Sequence, residues 1–270
     1  DLALLLSNSF HTAFLACMGG ARQRVGYARD CRSVLLTRGL RPPRRKWRIR
    51  PTPMVDYYLK LAEAVGSPPE DPRLELATTP ADERSAEAVW RRLGLRSDGR
   101  VILLNSSGAF GAAKLWPVQH FSRLTRLIAD RLDHDVLVVC GPKEREIARR
   151  IVEQAGRARV FSMAEAPMDL GTSKACLRRG RLMVSTDSGP RHVAAALGRP
   201  VITLFGPMLP IWSENPSQRA VNLVLDLDCI GCRKRVCPLG HHDCMRKLSV
   251  PMVYAEVVKL LEEEEKTAAA

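Results

Sequence analysis

The chain is predicted to be an α/β protein built on doubly wound parallel sheet. From residue 101 onward, strand-like apolar runs alternate with amphipathic helical stretches, and residues 182–207 read as strand, tight turn, Ala-rich helix, turn, strand. Strands separated by helices of this length imply crossover connections and a parallel sheet. At 270 residues, 46% hydrophobic and 26% charged, the chain has room for one large or two medium domains and is not mostly disordered. No apolar run approaches the ~20 residues that span a bilayer.

Residues 2–6 read as a buried strand, too short and too poor in leading basic residues for a signal peptide. Residues 10–18 form a helix closed by Gly19 and Gly20, and a basic segment around Val25 and Tyr27 follows. Arg38, Arg41, Arg44, Arg45, Lys46, Arg48 and Arg50 make a dense cationic run, which Pro42 and Pro43 mark as a loop. Residues 57–65 are apolar at helical spacing up to Gly66, and Pro68 and Pro69 open a linker. Residues 74–76 alternate like a short strand, and 81–93 form an amphipathic helix with Ala86, Val89, Trp90 and Leu93 on one face. Strand 101–104, helix 118–131, strand 136–140 and helix 144–154 follow. Ligands bind such sheets at the carboxyl ends of the strands, so the loops after Leu104, Cys140 and Val184 are candidate site loops.

The formal charge is +13, and residues 1–50 hold eleven Arg or Lys against two Asp, a net of +9. Such a run is either a solvated face or an anion-binding surface for nucleic acid, anionic lipid or a phosphorylated substrate. Eight cysteines without an export signal imply reduced thiols in a cytoplasmic protein. Cys17, Cys31, Cys140 and Cys176 read as small buried apolar residues. Cys229, Cys232, Cys237 and Cys244, with His241 and His242 between the last two, have spacing that can hold zinc, although only one of the usual two CxxC knuckles is present.

After the strand at 182–184, Ser185, Thr186, Asp187, Ser188 and Gly189 combine helix-capping side chains with a sharp turn, and Pro190 suits the first turn of a helix ended by Gly198. The strand 201–205 follows. The start of that helix presents unpaired N–H groups and a positive dipole end to an anion, with the Ser188 hydroxyl and Gly189 backbone in reach of phosphate oxygens. The same pattern also serves as an ordinary loop that binds nothing.

Asp187-Ser188-Gly189-Pro190 with His192, followed by Phe205-Gly206-Pro207, resembles the donor-binding signature of the bacterial lipopolysaccharide heptosyltransferases, glycosyltransferase family 9. Two further segments resemble the family in the right order: residues 105–117, which carry Lys114, and residues 237–245, found in heptosyltransferase II-like members. The resemblance implies a GT-B fold of two Rossmann-like doubly wound domains, the N-terminal one incomplete. On that basis residues 1–80 are a partial acceptor-binding domain, 81–252 the nucleotide-sugar domain, and 253–270 a C-terminal helix and tail. It also implies heptose transfer from ADP-heptose to the lipid A core oligosaccharide of lipopolysaccharide, inverting, without cofactor or catalytic metal, at the cytoplasmic face of the inner membrane and with no nucleic-acid partner.

Family members normally begin with a glycine-rich strand and a Gly-Asp pair whose aspartate is thought to act as base. Nothing like it precedes Leu2, and Asp1, Asp30 and Asp56 lack its context, so the base stays unassigned and the chain is expected to be truncated and to bind donor without turnover. Lys114 is the candidate catalytic residue, because a fixed ammonium stabilises the charge growing on a departing diphosphate. Ser106, Ser107 and Gly108 are expected on the same diphosphate, Ser188, Gly189 and His192 at its helix end, and Asp187 on sugar hydroxyls. Glu144 is placed at the ribose and Met163 near adenine. Trp116 and Pro117 are expected to pack at the start of the following helix. Arg44, Arg45 and Lys46 are expected to receive acceptor phosphates. The alternatives are a relative using another nucleotide sugar or acceptor and, in a different class, a basic zinc-containing nucleic-acid binder, against which stands the lack of an aromatic stacking platform.

Overall fold

The computed structural model describes all residues except 46, 47, 109, 216, 217 and 270. The chain forms two compact units, residues 1–73 with 211–217, and residues 74–210 with 218–270.

In the first unit, β1 (Leu2–Leu5), α1 (Phe10–Met18), β2 (Gln23–Tyr27) and β3 (Arg38–Leu40) build a parallel sheet in the order β1-β2-β3. The side chain of Ser9 caps α1 by accepting from the Thr12 N–H. β4 (Arg44–Arg45) and β5 (Arg48–Ile49) pair antiparallel, so part of the stretch expected to be loop is a short ribbon, and α2 (Met54–Glu63) starts three residues before its expected position. Tyr27, Tyr57 and Leu61 form the core, with the tyrosine rings stacked at 3.7 Å between centroids. Arg32 is fully buried and donates to the Tyr27 and Ser7 carbonyls and to Asn8 Oδ1. These three bonds tie the loop after β1 to the end of β2.

The second unit opens with α3 (Pro80–Leu93), whose Thr79 and Asp82 make a reciprocal capping box and whose end is set by Gly94 at φ 68°. There follow β6 (Val101–Asn105), α4 (Val118–Arg131), β7 (Asp135–Val139), α5 (Arg145–Ala155), β8 (Val160–Ser162), α6 (Leu170–Arg179), β9 (Leu182–Thr186), α7 (Gly189–Ala196), β10 (Val201–Leu204), β11 (Ala220–Leu223), α8 (Asp243–Arg246) and α9 (Val250–Ala269). The sheet order is β11-β10-β9-β6-β7-β8, with every pair parallel. β6, β7 and β9 are buried along their whole length, which explains why their sequences are apolar runs rather than alternating ones.

Chain order reverses between β6 and β9, so their carboxyl ends border the crevice where such sheets take ligands. α9 packs on α4 and β10, and Leu248, Val253 and Val257 share one buried cluster with Phe121 and Ile128. The strand expected at 74–76 does not form: Leu74 and Leu76 have no partner strand among the described residues, and Leu76 is left exposed. Cys140 and Cys176 are buried as expected, whereas Cys17 is half-buried and Cys31 exposed. Among the described residues, no helix is long and apolar enough to cross a membrane.

Candidate functional site

Asn105, the last residue of β6, is buried beside the end of β9. Its Nδ2 donates to Ser185 Oγ at 3.0 Å and to Ser188 Oγ at 2.7 Å. Thr186 Oγ1 donates to the Ser107 carbonyl, so the loops leaving β6 and β9 are tied to each other. Asn105 Oδ1 and Ser106 Oγ are buried without a protein partner among the described residues. Buried polar atoms without partners are uncommon and point to a ligand or water.

The loop after β6 turns through a short 3-10 segment, Ala112–Lys114, and delivers the Lys114 ammonium over the end of β9. Its Nζ lies 2.6 Å from Asp187 Oδ2 and 2.9 Å from the Asp187 carbonyl oxygen, with both side chains 12% exposed. The other carboxylate oxygen of Asp187 accepts from Arg191 Nε at 3.2 Å and Nη2 at 3.1 Å. Arg191 is 3% exposed, one helical turn beyond Asp187, with its guanidinium 5.3 Å from the Phe205 ring centroid. Burial lowers its pKa from the ordinary value. Two cations therefore flank one carboxylate, a net charge of about +1 next to the first amides of α7. His192 is brought down to about 4 by burial, with Arg191 and Lys114 adding to the effect. Its imidazole is neutral near pH 7 and so adds no charge to the network.

A cavity of 350 Å³ opens beside this network. Asn105, Ser107, Gly189 and Glu144 line it on the polar side, and Met163, Leu170, Leu177 and Val193 on the apolar side. Of the expected residues, Ser107, Gly189, Glu144 and Met163 face this cavity, while Lys114, Asp187 and Ser188 are joined in the adjoining network. Glu144 Oε2 accepts from the Gly141 N–H at 3.0 Å, which fixes the turn it stands on. Ser106, expected on the diphosphate, is buried and does not line the cavity. At Gly108 a Cβ would meet Leu115 Cδ2 at 2.4 Å, so this glycine admits the packing of Leu115. Asp187, expected on sugar hydroxyls, is engaged by Lys114 and Arg191. Arg44 and Arg45 belong to the first unit, and Lys46 lies outside the described residues.

The sequence reading missed Arg191, Ser173 and Lys174. Arg191 carried a signal, since an acid and an arginine four apart at a helix start form a local pair. Ser173 and Lys174 line the cavity from α6, and Lys174 Nζ is held 3.1 Å from Asp82 Oδ2 on α3, a pairing across 92 residues that local pattern cannot reveal.

The segment 235–242 supports the Lys114 loop. Ala113 donates its N–H to the Arg235 carbonyl at 3.0 Å, and the Ala113 carbonyl contacts His242 Nε2 at 2.7 Å. Gly111 has φ 154°, and a Cβ there would meet the Arg235 carbonyl oxygen at 2.4 Å. Gly206 is closed in by Met245 Sδ, 2.6 Å from where a Cβ would stand. Cys229, Cys232, Cys237 and Cys244 are half-buried free thiols. Burial, reinforced by the other three, pushes the Cys244 thiol up to about 11. Among the described residues, no group of three or more His, Cys, Asp or Glu is arranged to hold a metal ion.

The model of glycosyltransferase family 9 (heptosyltransferase) matches residues 1–242. Lipooligosaccharide heptosyltransferase 2 of Haemophilus ducreyi is 28% identical over 97% of this chain and 76% of its own length. Lipopolysaccharide heptosyltransferase 2 of Escherichia coli is 26% identical over 98% of this chain and 76% of its own. Among solved structures, ADP-heptose lipopolysaccharide heptosyltransferase II of E. coli superposes with a TM-score of 0.72 at 24% identity, covering 96% of this chain and 76% of that one. The family 9 glycosyltransferase of Veillonella parvula gives 0.70 at 23% identity, covering 83% and 62%. At these identities the structural likeness speaks to the fold alone.

Proposed function

The chain belongs to glycosyltransferase family 9 and has the GT-B fold of its structural neighbours, and from that premise we propose that it transfers heptose from ADP-heptose to the inner core of lipopolysaccharide. The observation that carries this reading is the Lys114–Asp187–Arg191 network set between the ends of β6 and β9 beside the 350 Å³ cavity. Met163, Leu170 and Val193 offer an apolar wall to the adenine, while Glu144, Ser173 and Lys174 offer polar groups to the ribose. The diphosphate lies at the first amides of α7, within reach of Ser107, Ser188 and the His192 ring.

Cleavage of the bond from the anomeric carbon to the phosphate oxygen leaves both electrons on the diphosphate. The ammonium of Lys114 stabilises that charge more as the bond breaks than before it does. Arg191 keeps Asp187 compensated when Lys114 turns to the diphosphate, so the carboxylate does not repel the leaving group. Inversion follows from a single displacement in which the acceptor hydroxyl, its proton passing to a general base, attacks the anomeric carbon from the face opposite the departing diphosphate. In the same reading, Arg44, Arg45 and Lys46 contact acceptor phosphates, and the acceptor is met at the cytoplasmic surface of the inner membrane.

Replacement of Lys114 by alanine tests the assignment. ADP affinity, measured by calorimetry, falls about tenfold, equal to ~1.4 kcal/mol. Heptose transfer, wherever its rate is measured, falls by ~10²- to 10³-fold. Unchanged ADP affinity would remove Lys114, and with it this network, from the donor site.

A further inference from the structure

Away from the donor cavity, a second cavity of 500 Å³ lies between α4 and the start of α9. His120, Arg123 and Arg126 line it from α4, and Arg246, Lys247 and Ser249 from the segment entering α9. His120, Arg123 and Leu127 stand three and four residues apart, so they share one face of α4. Arg126 is fixed by donating to the Ala155 carbonyl at 3.2 Å and the Gln154 carbonyl at 2.7 Å.

Four cationic side chains thus meet in one concavity, where Asp243 lies 2.6 Å from Lys247 and also interacts with the charge of Arg246. Arg123 and Arg246 make no ion pair among the described residues, and both are exposed. Asp130, further along α4, is paired with Arg157 and also interacts with the charge of Arg126, which leaves Arg123 and Arg246 as the exposed cations of the hollow. His120 adds no positive charge near neutral pH, because burial and the neighbouring Arg123 lower its pKa. Its Nδ1 is buried without a partner among the described residues. Val250 and Pro251, the first residues of α9, complete the wall, so the positive end of a 20-residue helix opens on the same space. Like charges gathered in a hollow repel one another unless an anion sits among them.

We propose that this cavity is a second anion site, separate from the donor cavity, that takes phosphate groups. None of its lining residues lines the donor cavity, so the proposal stands or falls apart from the assignment of the donor. The phosphate belongs either to a soluble phosphorylated compound or to a lipid headgroup, and the two sources separate experimentally.

With the donor cavity saturated by ADP, pyrophosphate is titrated calorimetrically into the wild-type chain and the Arg123→Gln/Arg246→Gln variant. In parallel, both are floated with vesicles of phosphatidylglycerol and of phosphatidylcholine. A soluble ligand gives one pyrophosphate site at least fivefold weaker in the variant. A lipid source gives phosphatidylglycerol binding at least fivefold weaker in the variant and no pyrophosphate site. A Tm within about 2 °C of wild type shows that the variant is folded, which exposed, unpaired arginines favour, and the single Arg246→Gln variant provides a second reading of intermediate size. Pyrophosphate and vesicle binding that are the same in wild type and both variants would overturn the proposal.

Discussion

Replacing Arg191 with methionine removes a 3% exposed cation while leaving an unbranched side chain of similar length against Phe205. Asp187 then keeps one partner, Lys114 at 2.6 Å, and loses two hydrogen bonds at 3.1 and 3.2 Å. Removing one side of a buried pair costs ~3 to 5 kcal/mol, and the surviving Lys114 contact places this case near the lower figure. For a unit of this size that corresponds to a fall in Tm of roughly 6 to 12 °C. ADP binding weakens as well, because Lys114 can leave Asp187 for the diphosphate only by exposing the ligand to an uncompensated carboxylate. The assay is thermal unfolding of wild type, Arg191→Met and Asp187→Asn/Arg191→Met, each with and without ADP. The double variant, with no charge left to compensate at either position, recovers at least half of the lost Tm. If Arg191→Met melts within about 1 °C of wild type, or the double variant is less stable than the single, Arg191 does not hold the carboxylate and the reasoning fails.

Gly111→Ala puts a Cβ into the Arg235 carbonyl at a backbone angle of 154°, so it costs ~1 to 3 kcal/mol and weakens ADP binding by displacing the Lys114 loop; ADP titration of the folded variant checks this. His192, whose pKa is lowered from 6.5 to about 4, binds its proton more readily in the unfolded chain than in the folded one between those values. Its contribution to stability is therefore complete above pH 6.5 and declines by ~1.4 kcal/mol per pH unit as the pH falls toward 4. His192→Asn flattens the dependence of Tm on pH in that window, and equal slopes for the two proteins would show that the ring is not shielded.

Much of the second unit was legible because its signals are local. Helix 118–131 and the strands from residues 101, 136, 182 and 201 followed from apolar runs and periodicity, and the Ser188-Gly189-Pro190 turn announced the start of α7. α6 escaped notice because Gly171, Thr172, Ser173 and Lys174 dilute its apolar face, although Asp169, whose side chain accepts from the Thr172 N–H, was a readable cap. β8 and β11 have three and four residues and depend on pairing with strands already in place. The site divides the same way. Lys114 and Asp187 stood in recognisable loops, but their contact at 2.6 Å spans 73 residues and cannot be read from either loop alone. The support that residues 235–242 give to Ala113 is equally non-local, and it gives the C-terminal motif a structural role that its composition did not disclose.

The Trp116 indole N–H donates to the Leu248 carbonyl at 2.8 Å across 132 residues of chain, and Leu248, Val253, Val257 and Leu261 complete the cluster that α4 begins. On a translating ribosome, the apolar side of α4 therefore emerges long before the residues that cover it. At ~5 to 20 residues per second the interval is on the order of ten seconds. Throughout it, the nascent chain shows a chaperone the surface that α9 later occupies, so slowing synthesis or shortening the chain before Leu261 lowers the yield of soluble protein without altering any residue of the donor cavity.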